Sequence, residues 1–236
     1  YQVILEHTSK DIGQDYLDIL KHQTPEFLDA SLDLCKQNDE LGNADVYEYG
    51  EVGLVSPSTL YYMKVASDLK VLFGDNIGDA IAEIGCGYGG QTLVNDQLLD
   101  VHSARLFDLP FVNKLIDRYL NAHLLKGAYF TTVINKEESR DYDLVISNYA
   151  FSELPKMLQL AYVKKVLAKS KKGYLTMNSG LGNARSTGKL SIHELKQLLP
   201  EFKLIEEEPL TANQNYIIVW GHSQDALELH FKSFVI

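Results

Sequence analysis

The sequence predicts an α/β protein with a doubly wound, mostly parallel sheet of seven strands, preceded by a helical N-terminal segment. Two observations lead to this prediction. After Ile77, short apolar runs alternate with helical stretches, which is typical of parallel strands joined by helices. Before residue 75, the apolar residues instead follow helical spacing. The chain of 236 residues is 45% hydrophobic and 23% charged, a balance that favours a folded globular protein.

The N-terminal segment comprises residues 1–75. Apolar spacing predicts helices within residues 1–40, the second of them beginning at Pro25. Residues 38–57 are rich in Gly, Asn and Ser, so a long loop is expected there. A further helix is expected after this loop, with Ser58 as its N-cap.

The remaining residues, 76–236, alternate predicted strands and helices. Strands are expected at 80–84, 104–107, 129–134, 142–147, 173–177, 202–206 and 216–220. Helices are expected at 91–99, 110–125, 154–168 and 192–199. The strand at 142–147 is apolar enough to lie in the centre of the sheet. The last two strands are close enough in sequence to pair as a hairpin.

The net charge is distributed unevenly along the chain. The formal total is −10, and residues 1–60 contribute −9 of it, because they contain 12 acidic residues and only three lysines. Binding of a polyphosphate requires clustered Lys and Arg, so a nucleic acid is not an expected partner of this segment.

Several features bear on the cellular compartment. No run of 18 apolar residues is present, so no transmembrane helix is expected. The pattern of a secretory signal is not visible at the start of the sequence. Two cysteines, Cys35 and Cys86, are too few for a disulfide framework and suit a reducing compartment. A cytoplasmic location is therefore the expectation.

The most informative segment is Ala80–Gly90, AIAEIGCGYGG, where a buried strand enters a glycine-rich turn before a helix. Glycines permit positive φ angles and close approach of a ligand, and a helix N-terminus offers free N–H groups to it. The spacing is G-x-G-x-G, which differs from the G-x-G-x-x-G of dinucleotide-binding loops. Glu83 precedes the first glycine by two residues. Its carboxylate would oppose a pyrophosphate but suits a ligand with a cationic amino group.

The string E-I-G-C-G-Y-G resembles the first motif of the class I methyltransferases, which bind S-adenosylmethionine. The resemblance implies a Rossmann-like methyltransferase fold in which Glu83 and the glycine loop hold the methionine part of the cofactor. It also implies that Asp108, at the end of the second strand, holds the ribose hydroxyls, both of which a carboxylate can accept. The cofactor-binding residues expected on this basis are Glu83, Gly85, Cys86, Gly87, Tyr88, Gly89, Asp108, Leu109 and Asn148.

A narrower resemblance, from about residue 43 to about residue 182, is to the sugar O-methyltransferases of bacterial polysaccharide and lipopolysaccharide biosynthesis. It is carried by four strings: YEYGE at 47–51, SPST at 56–59, DLP at 108–110 and SNYAFSEL at 147–154. Asn148 stands where methyltransferases of amide or base nitrogens have an Asp-Pro-Pro-Tyr type of sequence, which favours an oxygen acceptor. The resemblance thus implies an O-methyltransferase that acts on a sugar hydroxyl, free, nucleotide-linked or in a polysaccharide precursor.

A sugar hydroxyl is a poor nucleophile near neutral pH, so its methylation usually needs a general base. Glu153 is the first candidate, with the alternative that it is only an acid favouring a helix N-terminus. Tyr149 is expected to line the pocket or stack on the adenine, unless it is a core tyrosine. His222 and His193 are further candidate bases, against surface or capping roles. No spacing of His, Cys or acidic residues indicates a metal site, so no metal is expected.

Tyr47, Tyr49 and Glu51 are the candidate substrate-binding residues. Aromatic faces pack on sugar rings, and carboxylates accept hydrogen bonds from hydroxyl groups. We therefore expect residues 1–75 to form a cap whose loop covers the pocket of the catalytic domain at 76–236. The alternative is a solvated acidic face with a structural loop. Two other functions stay open: an O-methyltransferase for a polyketide or phenol, and a non-catalytic S-adenosylmethionine-binding protein.

Overall fold

The computed structural model describes residues 8–75, 77–134, 140–178 and 188–234. Its α-helices are α1 (Lys10–Gln23), α2 (Pro25–Cys35), α3 (Pro57–Phe73), α4 (Gly90–Leu98), α5 (Pro110–Leu120), α6 (Ala150–Glu153), α7 (Lys156–Lys165), α8 (Ile192–Leu198) and α9 (Gln224–His230). Its strands are β1 (Tyr47–Glu48), β2 (Leu54–Val55), β3 (Ala80–Ile84), β4 (Ser103–Phe107), β5 (Ala128–Thr132), β6 (Tyr142–Asn148), β7 (Ser170–Met177), β8 (Lys203–Glu206) and β9 (Tyr216–Trp220). Short 3-10 helices lie at Lys36–Asp39, Gly50–Val52 and Leu167–Lys169.

The main sheet has seven strands in the order β5-β4-β3-β6-β7-β9-β8. The strands from β5 to β7 are parallel, and β9 is antiparallel to both β7 and β8. The prediction of a doubly wound, mostly parallel sheet is confirmed, as is the hairpin of the last two strands. The strand order reverses between β3 and β6, so the carboxyl ends of these two strands form a topological switch point.

Helices cover both faces of the sheet, because alternate residues of the central strands point in opposite directions. On one face, Ile81 and Leu144 belong to a buried cluster formed with α1 to α5 and α9. On the other face, Ala82 and Val145 pack with residues of α6, α7 and α8. This two-sided burial explains why the central strands are almost continuously apolar.

The N-terminal helices share their core with the sheet. Tyr16, Leu20 and Leu60 are at most 2% exposed and lie in the same buried cluster as Ile81 and Leu144. The acidic residues of α1 and α2 are exposed on the opposite side of these helices, at Asp11, Asp15, Asp18, Glu26, Asp29 and Asp33. The segment therefore covers one face of the sheet, and the negative charge of its helices faces solvent.

The start of α3 differs from the prediction. The N-cap is Ser56, not Ser58, since the Ser56 Oγ accepts a hydrogen bond of 3.0 Å from the Thr59 amide. Pro57 takes the first helical position, which its fixed φ angle favours, and this moves the cap to the residue before it. The predicted loop at 38–57 contains the small antiparallel hairpin β1–β2.

The helix predicted at 154–168 is two helices. The chain leaves helical geometry at Leu154, whose ψ angle is 145°, because a residue before proline avoids the α region. Helix α6 therefore ends at Glu153, and α7 begins at Lys156 after Pro155. Helix α9, which Ser223 caps through its side chain, was not predicted. None of the helices within the described ranges has the length and apolar character that crossing a bilayer requires.

Candidate functional site

The carboxyl ends of β3, β4, β6, β7 and β8 lie at one edge of the sheet, because these strands run in the same direction. The glycine loop follows β3, and Asn148 ends β6 at the adjacent position of the switch point. Open α/β sheets bind their ligands in the crevice outside this kind of edge. The candidate site is therefore built from the loops at this edge.

The glycine loop requires its glycines. Gly85, Gly87 and Gly89 have φ angles of 73°, 58° and 102°, a region that residues with a side chain rarely adopt. A Cβ atom at Gly85 would lie 2.0 Å from the Cβ atom of Ala150, so α6 closes directly over the loop. Gly89 is the N-cap of α4, and the free N–H groups of the first helical turn follow it.

Asp108 is bonded to the glycine loop, although the two are 22 residues apart in sequence. Its Oδ2 accepts a hydrogen bond of 2.8 Å from the Cys86 amide, and its Oδ1 accepts one of 2.7 Å from the Leu109 amide. Burial raises the pKa of Asp108, and these amides oppose the rise. The Gly87 amide also donates to this carboxylate, which keeps acceptor capacity toward the ribose hydroxyls that the resemblance assigns to it. Leu109 is 54% exposed beside it.

Glu83 lies beneath the loop and is 4% exposed. Its Oε2 accepts a hydrogen bond of 2.6 Å from the Thr92 hydroxyl. Burial raises the pKa of Glu83 to about 7, the hydrogen bond from Thr92 opposes this rise, and the charge of Asp108 adds to it. Two carboxyl groups close together in a buried place favour a cationic ligand, which would offset their repulsion.

Asn148 offers a buried acceptor at the end of β6. Its Nδ2 donates a hydrogen bond of 3.0 Å to Gln91 Oε1, which fixes the orientation of the amide. Its Oδ1 is buried and accepts no hydrogen bond from the described part of the chain. A buried acceptor without a donor is costly, so a ligand N–H or O–H placed here would be stabilised.

Tyr149, the next residue, has a left-handed backbone with a φ angle of 64°. Its amide donates a 2.9 Å hydrogen bond to the Thr176 carbonyl, and its ring stacks on that of Tyr61 with 6.2 Å between the centroids. Its hydroxyl donates to the carboxylate of Glu207. Burial, followed by the charge of Glu207, raises the pKa of the Tyr149 phenol far above its ordinary value.

Glu207 is a site residue that was not predicted from the sequence. It follows β8 at the same edge of the sheet and is 4% exposed. Its Oε2 accepts hydrogen bonds of 3.0 Å from the Thr211 amide and 2.9 Å from the Thr211 hydroxyl. The rule that led to Asp108, an acid directly after a predicted strand, would also have indicated this position. Glu207 lies in a run of three glutamates, and the first of them, Glu206, ends the predicted strand at 202–206.

Glu153, the first candidate base, lies at the end of α6 on this edge. Its side chain is exposed, and its Oε1 accepts a 3.0 Å hydrogen bond from Asn178 Nδ2. Asn178 directly follows β7, so the two residues join the ends of neighbouring strands. The role of Glu153 as a base stays a prediction.

Two side chains of the glycine loop point away from the loop. Tyr88 is buried, and its hydroxyl donates a 3.1 Å hydrogen bond to Asn38 Oδ1 in the N-terminal segment. Its side chain is therefore engaged away from the loop, and binding of the cofactor by the backbone of Tyr88 stays a prediction. The Cys86 Sγ faces the Glu83 carbonyl at 3.4 Å, and burial raises the pKa of this thiol. The backbone of Cys86 is engaged as well, since its amide donates to Asp108 and its carbonyl accepts from the Gly89 amide.

The candidate substrate-binding residues are not brought together at the site. Tyr49 is 4% exposed, and its hydroxyl donates a 3.1 Å hydrogen bond to the Lys10 carbonyl. It packs against Gly13 of α1, so its prediction as a substrate ligand is wrong. Tyr47 is half-buried on β1, and Glu51 is exposed on the following turn. Their contact with a substrate stays a prediction.

The two histidines differ in position. His222 follows β9, which runs antiparallel, so it lies at the opposite edge of the sheet and its prediction as a base is wrong. His193 is exposed on α8, where its Nε2 lies 3.1 Å from Gln197 Nε2. Both residues belong to α8, so this contact is explained within the helix, and the role of His193 as a base stays a prediction. Within residues 8–75, 77–134, 140–178 and 188–234, no three His, Cys, Asp or Glu residues are grouped to hold a metal ion.

No family model matches the chain, and no curated protein matches it. Similar solved structures include TrmK of M. capricolum in complex with S-adenosylhomocysteine, with 18% identity over 67% of this chain and 66% of that chain and a TM-score of 0.44. The pyocyanin biosynthetic protein PhzM has 12% identity over 69% and 56%, with a TM-score of 0.49. An rRNA methylase from Streptococcus thermophilus has 13% identity over 64% and 90%, with a TM-score of 0.46. The fold class itself follows from the strand order of this chain: it is the Rossmann-like fold of the class I methyltransferases.

Proposed function

We propose that this protein is an S-adenosylmethionine-dependent O-methyltransferase whose acceptor is a sugar hydroxyl, free, nucleotide-linked or in a polysaccharide precursor. One observation carries the proposal. The glycine loop and Asp108 meet at the switch point, where the Cys86 amide donates to the Asp108 carboxylate. Two features that the sequence places 22 residues apart thus form one cradle, with free N–H groups beside an acid.

The cofactor would be held by hydrogen-bond acceptors at its ribose and at its methionine ammonium. Asp108 would accept hydrogen bonds from the ribose hydroxyls through its remaining lone pairs. Glu83 and the Asn148 Oδ1 are acceptors for the methionine ammonium, and Glu83 adds a negative charge when it is ionised. S-Adenosylmethionine, when bound, supplies a methyl group on a positively charged sulfur. Gln91 fixes the Asn148 amide, so this acceptor is oriented before the ligand arrives.

The acceptor side of the site favours a neutral polyol. Tyr61 and Tyr149 present stacked rings, and the carboxylates of Glu207 and Glu153 lie at the same edge. Aromatic faces and carboxylates are the groups that bind sugar rings and hydroxyls. The many phosphates of a nucleic acid would meet like charges at this place, so a small cytoplasmic sugar substrate is proposed in preference to a nucleic acid.

We also propose that residues 1–75 act as a cap over the acceptor. Tyr61 of α3 contacts Tyr149, so the start of α3 reaches the carboxyl edge, and the β1–β2 hairpin directly precedes it. Tyr47 and Glu51 of this hairpin would contact the sugar from the side of the cap. The substitution Glu51→Gln should raise KM for the sugar several-fold and leave kcat unchanged, whereas Glu48→Gln on the same hairpin should have little effect. Equal KM values in steady-state assays would contradict the cap.

The proposal is tested by calorimetric titration with S-adenosylhomocysteine, followed by a methyl-transfer screen over nucleotide sugars. We expect micromolar binding that Asp108→Asn weakens about 10- to 100-fold, the size of a lost hydrogen bond to a charged group. The control Asp117→Asn changes an exposed acid of α5 and should bind like the wild type. No heat at high micromolar ligand would overturn the cofactor assignment. Binding without transfer to any sugar would overturn the acceptor class.

A further inference from the structure

We infer that Glu207 and Tyr149 form the pair that removes the proton of the acceptor, with Tyr149 contacting the acceptor hydroxyl and Glu207 acting through it. The inference rests on the proposed methyl transfer and names a residue that the sequence motifs do not include. It is carried by the burial of a carboxylate at the carboxyl edge, by the strained backbone of Tyr149 and by the position of its hydroxyl.

Glu207 is a buried carboxylate with a defined set of donors. It accepts hydrogen bonds from the Tyr149 hydroxyl, the Thr211 amide and the Thr211 hydroxyl. Burial of an ionised carboxylate is expensive unless several donors compensate it. A carboxyl group kept at 4% exposure, in contact with Tyr149 at the end of β6, is better explained by a chemical task than by folding alone.

The backbone of Tyr149 provides a second observation. A φ angle of 64° is unfavourable for a tyrosine and persists only where neighbouring groups impose it. Three contacts do so: the amide donates to the Thr176 carbonyl, the ring stacks on Tyr61, and the hydroxyl donates to Glu207. A tyrosine that only filled the core would not need this conformation. The strain directs the side chain from the end of β6 toward Glu207.

The Tyr149 hydroxyl lies at the border between interior and surface. On one side is the buried Glu207, and on the other is the exposed Thr211, whose Oγ1 is 3.0 Å away. Because the Thr211 hydroxyl and the Tyr149 hydroxyl both donate to Glu207, the phenolic oxygen keeps a lone pair for a further donor. An acceptor hydroxyl is a donor of this kind.

The charged and titratable groups around the pair come from several elements. Burial and, to a smaller extent, the charge of Glu207 raise the pKa of Tyr16 of α1, Tyr61 of α3 and Tyr174 of β7. Asp68 of α3 accepts a hydrogen bond from Tyr174. Lys64 Nζ lies 2.6 Å from Asp68 Oδ2, so the charge of this lysine is paired with Asp68. Burial, Glu207 and Tyr16 raise the pKa of Tyr149 itself, and the hydrogen bond of Thr211 opposes the rise. This surrounding favours transfer of a proton onto the carboxylate over formation of a phenolate.

Proton transfer accompanies the methyl transfer. The acceptor oxygen forms a bond to the methyl carbon while the carbon–sulfur bond breaks, and the electron pair of that bond stays on sulfur. The acceptor proton passes to the Tyr149 oxygen as the phenolic proton passes to Glu207. Tyr149 ends in its initial protonation state, and Glu207 ends as a neutral carboxylic acid.

The test compares Glu207→Gln and Tyr149→Phe with the control Glu208→Gln, which changes the neighbouring glutamate that pairs with Lys232 at the surface. Three quantities are measured: S-adenosylhomocysteine affinity, kcat and KM for the sugar that the wild type methylates between pH 6 and 9, and the titration of ring-carbon-labelled tyrosines by NMR. For Glu207→Gln we expect at least a 100-fold lower kcat with cofactor affinity within twofold, and a residual rate that rises with pH. Glu207→Asp, which keeps the charge, should restore part of the rate.

The outcomes separate this inference from the proposed function. Wild-type kcat and pH profile in Glu207→Gln would overturn the pair, while cofactor binding by the wild type would leave the methyltransferase assignment intact. Equal losses of cofactor affinity and rate would show a structural role and would also overturn it. If the wild type methylates no sugar, the NMR titration still tests the Glu207–Tyr149 pair, because it needs no acceptor. The Tyr149 phenol must then titrate at a lower pH in Glu207→Gln than in the wild type, and an unchanged titration overturns the pair.

Discussion

The two halves of the carboxyl edge are built differently. The cofactor half consists of β3, the glycine loop and the end of β4, so its main groups lie between Glu83 and Asp108 in sequence. The acceptor half collects Tyr61, Tyr149 and Glu207 from three distant segments. One half depends on backbone geometry that a short motif specifies, and the other depends on side chains that only the folded sheet brings together.

The largest expected effect is on the cofactor half. In Gly85→Ala the new Cβ would meet the Ala150 Cβ at 2.0 Å, and the φ angle of 73° would be strained as well. Overpacking and left-handed strain together should cost about 3 kcal/mol of unfolding free energy, and affinity for S-adenosylhomocysteine should fall by more than 100-fold. Urea unfolding and calorimetry measure the two effects.

Gly74→Ala is the matched control for this substitution. Gly74 has a φ angle of 76° at the end of α3, but its new Cβ would meet nothing within 4 Å. It should lose about 1 to 3 kcal/mol, the cost of a backbone conformation with a φ angle of 76° and a ψ angle of −169°, and keep its cofactor affinity. If Gly85→Ala behaved like Gly74→Ala, the cofactor half would not depend on close packing of the loop against α6.

This difference explains how much could be predicted from the sequence. Glu83, the glycines and Asp108 could be identified because a strand, a turn and a helix follow one another with fixed spacing. The sheet could be identified because buried parallel strands are continuously apolar. Tyr49 could not be placed, because a tyrosine beside glutamates suits a sugar site and a helix contact equally well.

The direction of β9 explains the error at His222. Its prediction assumed that the end of the last strand lies at the carboxyl edge, but β9 is antiparallel, and strand direction is not visible in an apolar run. The position of Glu207 directly after a strand is visible in the sequence. Its contact with Tyr149, 58 residues away, is not, because no local pattern indicates it.

The next effect separates the two halves by pH. Because burial raises the pKa of Glu83 to about 7, its ionised fraction should rise from about one tenth at pH 6 to about nine tenths at pH 8. The ionised carboxylate attracts the ligand ammonium, so S-adenosylhomocysteine affinity should increase about tenfold over this interval. Calorimetry at several pH values measures the change.

Glu83→Gln should remove this dependence, and Glu153→Gln, in the acceptor half, should keep it. Stability depends on pH with the opposite sign to cofactor affinity. A raised carboxyl pKa in the folded state means that unfolding free energy falls as pH rises from about 4.5 to about 7, and Glu83→Gln should lack this contribution. An affinity that stays constant with pH in the wild type would mean that Glu83 does not face the ammonium.

The smallest effect concerns the border between the glycine loop and the N-terminal segment. Tyr88 and Tyr119 both donate to Asn38 Oδ1, at 3.1 and 2.7 Å, but only Tyr88 belongs to the loop. Tyr88→Phe and Tyr119→Phe should each cost about 1 kcal/mol of unfolding free energy, the net worth of one hydrogen bond. Both should keep cofactor affinity within twofold, because the Tyr88 side chain faces the protein interior.

A larger loss of affinity in Tyr88→Phe than in Tyr119→Phe would mean that the N-terminal segment orders the loop through Asn38. The cofactor half would then depend on a distant segment as the acceptor half does.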